Sequence, residues 1–417
     1  MQMIVIGAGA WGLPAAAELA ERGHRVTLVD RYGPANPLSS SHGPTRIWRL
    51  ADPDPAKITM TRQSLAAMER LSRIAGEPVF LRRGLVWRDS ASALDAFEWA
   101  LAMEGIPHLR LAADRVGSRF PGLVPDGRGA IFTSEAGPVL AEVSLRAQLL
   151  RFERAGGTLR IAHVVDVEAP VPTEAGTGDG PHRVHLAGGE TLEADALVVA
   201  AGPGASALLE RLGLDVPLRP HLEQVVHVAD PAQPFDELPD LIDIASGDRP
   251  TLYAMTTPGV GFKLGLDAPL RDAEWGVDDD RTPDAARTAL LLDYARTELG
   301  MRGAEVVDAK VCSWTDSPDG RFVIGTPLPG VTVACGDSGE GFKFSALMGL
   351  VLADLAEGVT PSVDLEPFRF DRFSGGGAGA GSGATAARAS RAALAAPTSL
   401  GALAAPTSLG GTPEASA

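Results

Sequence analysis

The sequence predicts an α/β plus α+β chain, a Rossmann-like domain carrying an inserted mixed β-sheet domain. Two observations carry that prediction. Residues 3–6 are a short apolar run that leads through Gly7-Ala8-Gly9-Ala10-Trp11-Gly12 into a helical stretch, 13–21, and then a second apolar run, 25–29, closing on Asp30. Much later, the apolar run 197–201 enters another glycine cluster, Gly202-Pro203-Gly204, as a strand does when the chain returns to its first sheet. At 417 residues the chain is long enough for two domains or one domain with a long insertion.

The elements follow in order. Short, continuous apolar runs bounded by glycine read as buried parallel strands, and strand, helix and strand over 3–30 make a βαβ unit. Residues 60–76 have helical spacing and stop at Gly76, and 143–155 repeat that pattern before Gly156 and Gly157. Strands are expected at 158–161 and 184–186, separated by the polar stretch 172–182, and a helix from Ser206. Residues 216–266 read as mixed strand and loop, with alternation over 224–228, followed by a helix over 283–299. The segment 312–323 reads as turn-rich, 325–343 as strand punctuated by glycine, and 345–355 as a helix stopped by Gly358. From Ser374 the chain is rich in Gly, Ala, Ser and Thr and repeats LAAPTSLG twice, a composition that predicts a disordered tail over 374–417. The expected division is a discontinuous dinucleotide-binding domain (1–80, 145–215 and 320–373) and a substrate domain (81–144 and 216–319).

Composition narrows the function. A net charge of −16 argues against a nucleic-acid or anionic-membrane surface, and no run of eighteen apolar residues would form a membrane span. Two cysteines, Cys312 and Cys335, cannot build a disulfide framework and suit a reducing compartment. The strand-like opening MIVIGAG is expected to leave no room for a signal peptide, so the cytoplasm is the expected location. Only four of the 37 basic residues are lysines: Lys57, Lys263, Lys310 and Lys343. Where arginine serves for generic charge, a retained lysine marks a place that needs a compact ammonium.

The glycine motif has a mechanical reading. Gly7 permits a tight turn, Gly9 lets backbone approach a pyrophosphate, and Gly12 lets helix and strand pack closely, with the helix N-terminus favouring negative charge. Asp30 ends the second strand, where a carboxylate accepts ribose hydroxyls. The motif alone leaves NAD and FAD open. Its position at the N-terminus and the returning strand into Gly202 favour FAD.

Four further motifs resemble the amino-acid oxidase superfamily, and within it the monomeric sarcosine oxidase and N-methyltryptophan oxidase group, over residues 1 to about 373. In Ser41-His42-Gly43-Pro44-Thr45-Arg46-Ile47-Trp48-Arg49 the resemblance implies that Ser41, His42 and Thr45 lie at the flavin, with Arg46 beside it and Arg49 on a substrate carboxylate. In Gly261-Phe262-Lys263-Leu264-Gly265 it implies that Lys263 promotes reaction with oxygen, with Tyr253 as an active-site tyrosine; Asp267 stands where sarcosine oxidases have a histidine. Cys312-Ser313-Trp314-Thr315 is similar to the segment whose cysteine binds FAD covalently. Gly336-Asp337-Ser338-Gly339-Glu340-Gly341-Phe342-Lys343-Phe344-Ser345 implies flavin contacts at Gly339, Gly341 and Lys343, with Lys343 also pairing with the substrate carboxylate. The lone Cys335 reads as a core residue.

The resemblance implies a monomeric FAD-dependent oxidase, without metal, that converts a carboxylate-bearing secondary amine to an imine while O2 becomes H2O2. The alternatives are a dehydrogenase of the same fold with another electron acceptor, and a biosynthetic oxidase of cyclic imino acids.

Overall fold

In the computed structural model, residues 1–52, 54–170, 180–232, 234–247, 249–273 and 280–373 are described. The expected low-complexity tail and most of the polar stretch 172–182 lie outside them. Among the described residues, no helix is long and apolar enough to cross a membrane.

The opening apolar run forms the central strand Gln2–Ile6, parallel to Arg25–Asp30 on one side and Ala196–Val199 on the other. Thr158–Ile161 extends this sheet beyond Arg25–Asp30, and Val331–Cys335 and Val323–Leu328 complete it beyond Ala196–Val199, giving six strands. Helix Gly12–Glu21 lies against it with Ala15, Ala16 and Ala17 wholly buried. Small side chains on that helix permit close approach: a Cβ on Gly349 of helix Ser345–Ala356 would stand 2.8 Å from the Pro14 carbonyl oxygen.

The second sheet has nine strands. Toward one edge the strand Arg219–Ala229 pairs antiparallel with both Gly261–Leu266 and Glu305–Asp316, and Leu252–Thr257 pairs with the far side of Gly261–Leu266. Helix Ala285–Thr297 covers one face through Leu291 and Ala295. The register sets Lys263 opposite His227 and Met255, Gly265 opposite Val225 and Tyr253, and Cys312 opposite Glu223. Because side chains alternate across a strand, Lys263 and Gly265 share one face with those partners.

Three expectations need correction. Residues 312–316 are not turn but the end of the strand Glu305–Asp316, because the Arg219–Ala229 strand supplies a continuous ladder to Asp316; the turn begins at Ser317. The glycine-punctuated strand over 325–343 is two strands, Val323–Leu328 and Val331–Cys335, then a loop and the single turn Gly341–Phe344. Gly336, Ser338 and Gly339 all have φ between 48° and 76°, which ends strand pairing there. The helix expected over 60–76 starts earlier, as Pro55–Ala75. The segment 81–144, unread for secondary structure, holds strands Leu85–Arg88, Leu109–Leu111, Ala130–Thr133 and Ala136–Leu140 and helix Ala91–Met103.

The opening glycine turn is closed from within. A Cβ on Gly12 would lie 1.9 Å from the Gly7 carbonyl oxygen, and one on Gly7, at φ 103°, would lie 2.3 Å from the Ala200 oxygen. Both clashes are with backbone, which cannot swing aside. Gly12→Ala is therefore expected to destabilise the protein by at least about 2 kcal/mol, measured as the shift in chemical-denaturation midpoint against wild type.

Candidate functional site

A single cavity of about 1350 Å³ runs from the glycine turn to the loop before helix Ser345–Ala356. It exceeds the ~300–1,000 Å³ of an ordinary small-ligand pocket. Its walls include Gly7, Gly9, Trp11, Asp30, Ser41, Arg46, Arg49, Gly202, Tyr253, Lys263, Cys312, Gly339, Gly341 and Lys343. The two ends are stitched together. The Trp11 indole donates to the Gly341 carbonyl (2.9 Å), the Ser345 hydroxyl to the Ala10 carbonyl (2.6 Å), and the Ala10 amide to Ser41 Oγ (2.8 Å).

At the glycine end, Asp30 accepts the Ala8 amide on Oδ2 (2.8 Å) and those of Tyr32 and Gly33 on Oδ1 (2.9 and 2.7 Å). These bonds hold a carboxylate, which has about four acceptor sites, at the cavity wall. Gly9 leaves room that a Cβ would fill, 3.1 Å from Ser41 Oγ. The glycine turn, the acid at the strand end and a long cavity fit an extended dinucleotide.

The expected residues Gly12, His42 and Thr45 do not line the cavity. Gly12 lies beneath the turn. His42 bonds through Nδ1 to the Ala35 carbonyl (3.2 Å), and Thr45 is fully buried with its hydroxyl on Thr257 (2.7 Å). Their backbone matters instead. Arg46 donates to the carbonyls of Thr45 (2.8 Å), Ser40 (2.9 Å) and His42 (2.5 Å), and the Lys263 ammonium donates to the Thr45 carbonyl (2.8 Å).

Arg46 and Arg49 lie on the strand Thr45–Arg49, paired with Ala136–Leu140. Three residues apart on a strand, they project to opposite sides, so each joins a different lysine. Burial first, and then the Arg46 charge, lowers Lys263 to about 7. Burial first, and then Arg49, lowers Lys343 to about 8. Two cationic centres result, one at Arg46–Lys263 and one at Arg49–Lys343.

Lys263 keeps company that sequence reading missed. His227, directly across the ladder, has neither ring nitrogen bonded and is lowered to about 3 by burial and then by Lys263. Asp240 is fully buried with both carboxylate oxygens unpartnered, and burial raises it well above the usual carboxylate range. The Tyr253 ring lies against Gly265, where a Cβ would meet the phenol oxygen at 2.3 Å. Burial, then the Glu223 carboxyl, pushes that phenol well above its ordinary value. Glu223 is itself raised to about 8 by burial, with Arg287 Nη1 at 3.3 Å and Oε2 unpartnered. Cys312 is a free, half-buried thiol on the wall, while Cys335 is buried, as expected of a core residue.

The Arg49–Lys343 centre contains two carboxylates and a third cation. Lys343 Nζ is 3.1 Å from Asp52 and 3.8 Å from Glu340; Arg49 Nη2 is 3.3 Å from each; and Lys57 pairs with Glu340. Arg49 also stacks over Trp87 at 5.3 Å. Lysine scarcity marked Lys57 along with the other three, without assigning it a role: three of the four lysines line the cavity, and the fourth, Lys310, pairs with Asp308 at 3.0 Å. Asp52 had no such signal, and Glu340 was visible only as a member of its motif.

The FAD dependent oxidoreductase family model matches residues 2–355. The chain is 30% identical over 370 residues to the monomeric sarcosine oxidase of Streptomyces avermitilis, covering 85% of this chain and 93% of that protein. It is 29% identical over 398 residues to the N-methyl-L-tryptophan oxidase of Salmonella newport, covering 89% and 99%. The solved glycine oxidase from Geobacillus kaustophilus shares the fold with a TM-score of 0.76 at 23% identity, over 89% of this chain and 98% of that one.

The closeness of Tyr253 and Gly265 gives a test. Gly265→Ala is expected to cost about 1–3 kcal/mol in unfolding free energy, and clearly less when combined with Tyr253→Ala, which removes the clashing ring. A double-mutant cycle by urea unfolding measures the difference.

Proposed function

The chain belongs to the FAD dependent oxidoreductase family, and on that premise we propose that it oxidises a carboxylate-bearing secondary amine to an imine with O2 as electron acceptor. The observation that carries this reading is the pair of cationic centres lining one cavity, Arg49–Lys343 and Arg46–Lys263. Names of relatives support the substrate class, since they are oxidases of sarcosine and N-methyl-L-tryptophan.

Gly7, Gly9, Asp30, Ser41, Gly202, Gly339 and Gly341 would hold FAD. When bound, it would supply the acceptor for the hydride equivalent of the amine's C–H bond. The amine gives up two electrons and two protons to become the imine, and O2 takes them to become H2O2. Arg49 and Lys343 bind and aim the substrate carboxylate, converting orientation into rate. The desolvated surroundings and neighbouring cations favour a neutral amine over an ammonium, and only the neutral form has the lone pair that oxidation requires. Lys263, held by the Thr45 carbonyl, offers an ammonium to charge that develops on oxygen.

An anaerobic bleaching screen of the flavoprotein with sarcosine, other N-methyl amino acids, proline, pipecolate and unsaturated cyclic imino acids tests the substrate class. Bleaching by none of them would overturn the reading, while bleaching without peroxide under air would assign another electron acceptor. Lys263→Met is expected to slow electron return to oxygen far more than anaerobic electron uptake from the amine. Because burial lowers this lysine, its ammonium form is lost as pH rises through about 7, and the oxygen step should weaken with it.

Cys312 lies on the cavity wall as a free thiol, which supports attachment of FAD through sulfur. Acid-precipitated wild-type protein should then retain its yellow colour, and Cys312→Ser should release it to the supernatant. Release from wild type would refute attachment.

A further inference from the structure

We infer that Glu340 stands in for the substrate carboxylate, so that an anionic substrate enters the Arg49–Lys343 centre by displacing it. The inference rests on the proposed role of those two cations. Glu340 places Oε1 3.3 Å from Arg49 and presents Oε2 to Lys57 and Lys343, spanning the cations as a bound bidentate acid does. Three cations face two carboxylates, leaving one positive charge for an incoming anion. A third carboxylate added beside both acids would sit against two like charges in a buried site, a costly arrangement.

Of the two acids, Glu340 is the displaceable one. The Asp52 side chain is 3% exposed and is anchored to its own loop, Oδ1 accepting the Asp54 amide (3.0 Å), as well as to Lys343 through Oδ2. Glu340 has the longer side chain, is more exposed at 15%, and follows the loop in which Gly336, Ser338 and Gly339 turn the backbone through positive φ. Displacement costs every carboxylate about the same, so a small acid such as sarcosine loses a larger share of its binding free energy than a bulky one. The site is therefore built for an amine acid whose remaining body fills the cavity.

The test is calorimetric titration of the flavin-loaded enzyme, without turnover, using cyclopentanecarboxylate and its neutral amide. Glu340→Gln should bind the acid about tenfold more tightly than wild type, since one unfavourable charge is removed. Glu340→Asp should return the affinity toward wild type, and the amide should bind all three alike. Unchanged or weaker acid binding in Glu340→Gln overturns the inference. Lys343→Met separates the two layers. If it abolishes acid binding while Glu340→Gln fails to tighten it, the inference about Glu340 alone falls. If Lys343→Met leaves acid binding intact, the carboxylate reading of the centre fails, and the role of Glu340 with it.

Discussion

The site depends on one junction, where the Trp11 indole donates to the Gly341 carbonyl across 330 residues of sequence. The indole and that backbone lie so close that a Cβ on Gly341 would come within 2.9 Å of the Trp11 ring. Ser345 repeats the stitch by bonding the Ala10 carbonyl. Buried hydrogen bonds of this kind are costly to leave unmade, so the loop that carries Glu340 and Lys343 is docked against the same turn that opens the cavity. Everything placed on either segment is thereby placed relative to the other.

A second constraint is electrostatic. Lys263 and Lys343 are both almost fully buried, and each faces an arginine as well as the loss of water. The two solutions differ. Lys343 is surrounded by carboxylates, whereas Lys263 is held by a backbone carbonyl, with the unpartnered His227 and Asp240 in its neighbourhood. The acids around Lys343 leave one cation in excess, whereas the Lys263 centre is left short of counter-charge, the setting in which charge appearing nearby is stabilised most.

Much of this was legible along the chain. Gly7, Gly9, Gly12 and Asp30 could be read from spacing because a strand, a tight turn and a helix make a local unit whose requirements fall on neighbouring residues. Lysine scarcity pointed to Lys57, Lys263, Lys310 and Lys343 alike, for a chemical reason that needs no fold, and three of the four line the cavity. The strand over 312–316 was misread because its partner, Arg219–Ala229, lies about ninety residues away, and local turn composition says nothing about a ladder supplied from elsewhere. Thr45 and His42 share a segment with Ser41, Arg46 and Arg49, which line the cavity, yet they themselves contribute carbonyls, and backbone acceptors carry no mark in a sequence.

By itself the sequence determined the nucleotide-type fold and which segments hold charged residues near it, because hydrophobic periodicity and glycine placement act over short distances. Only the tertiary structure decided that Arg46 and Arg49 serve different lysines, that Asp52 and Glu340 pair with Arg49 and Lys343, and that Asp240 and His227 lie unpartnered near Lys263. Those facts depend on strand register and on burial. Both are set by which segments pair across long stretches of chain, and the charge state of a side chain follows from the company that such pairing brings.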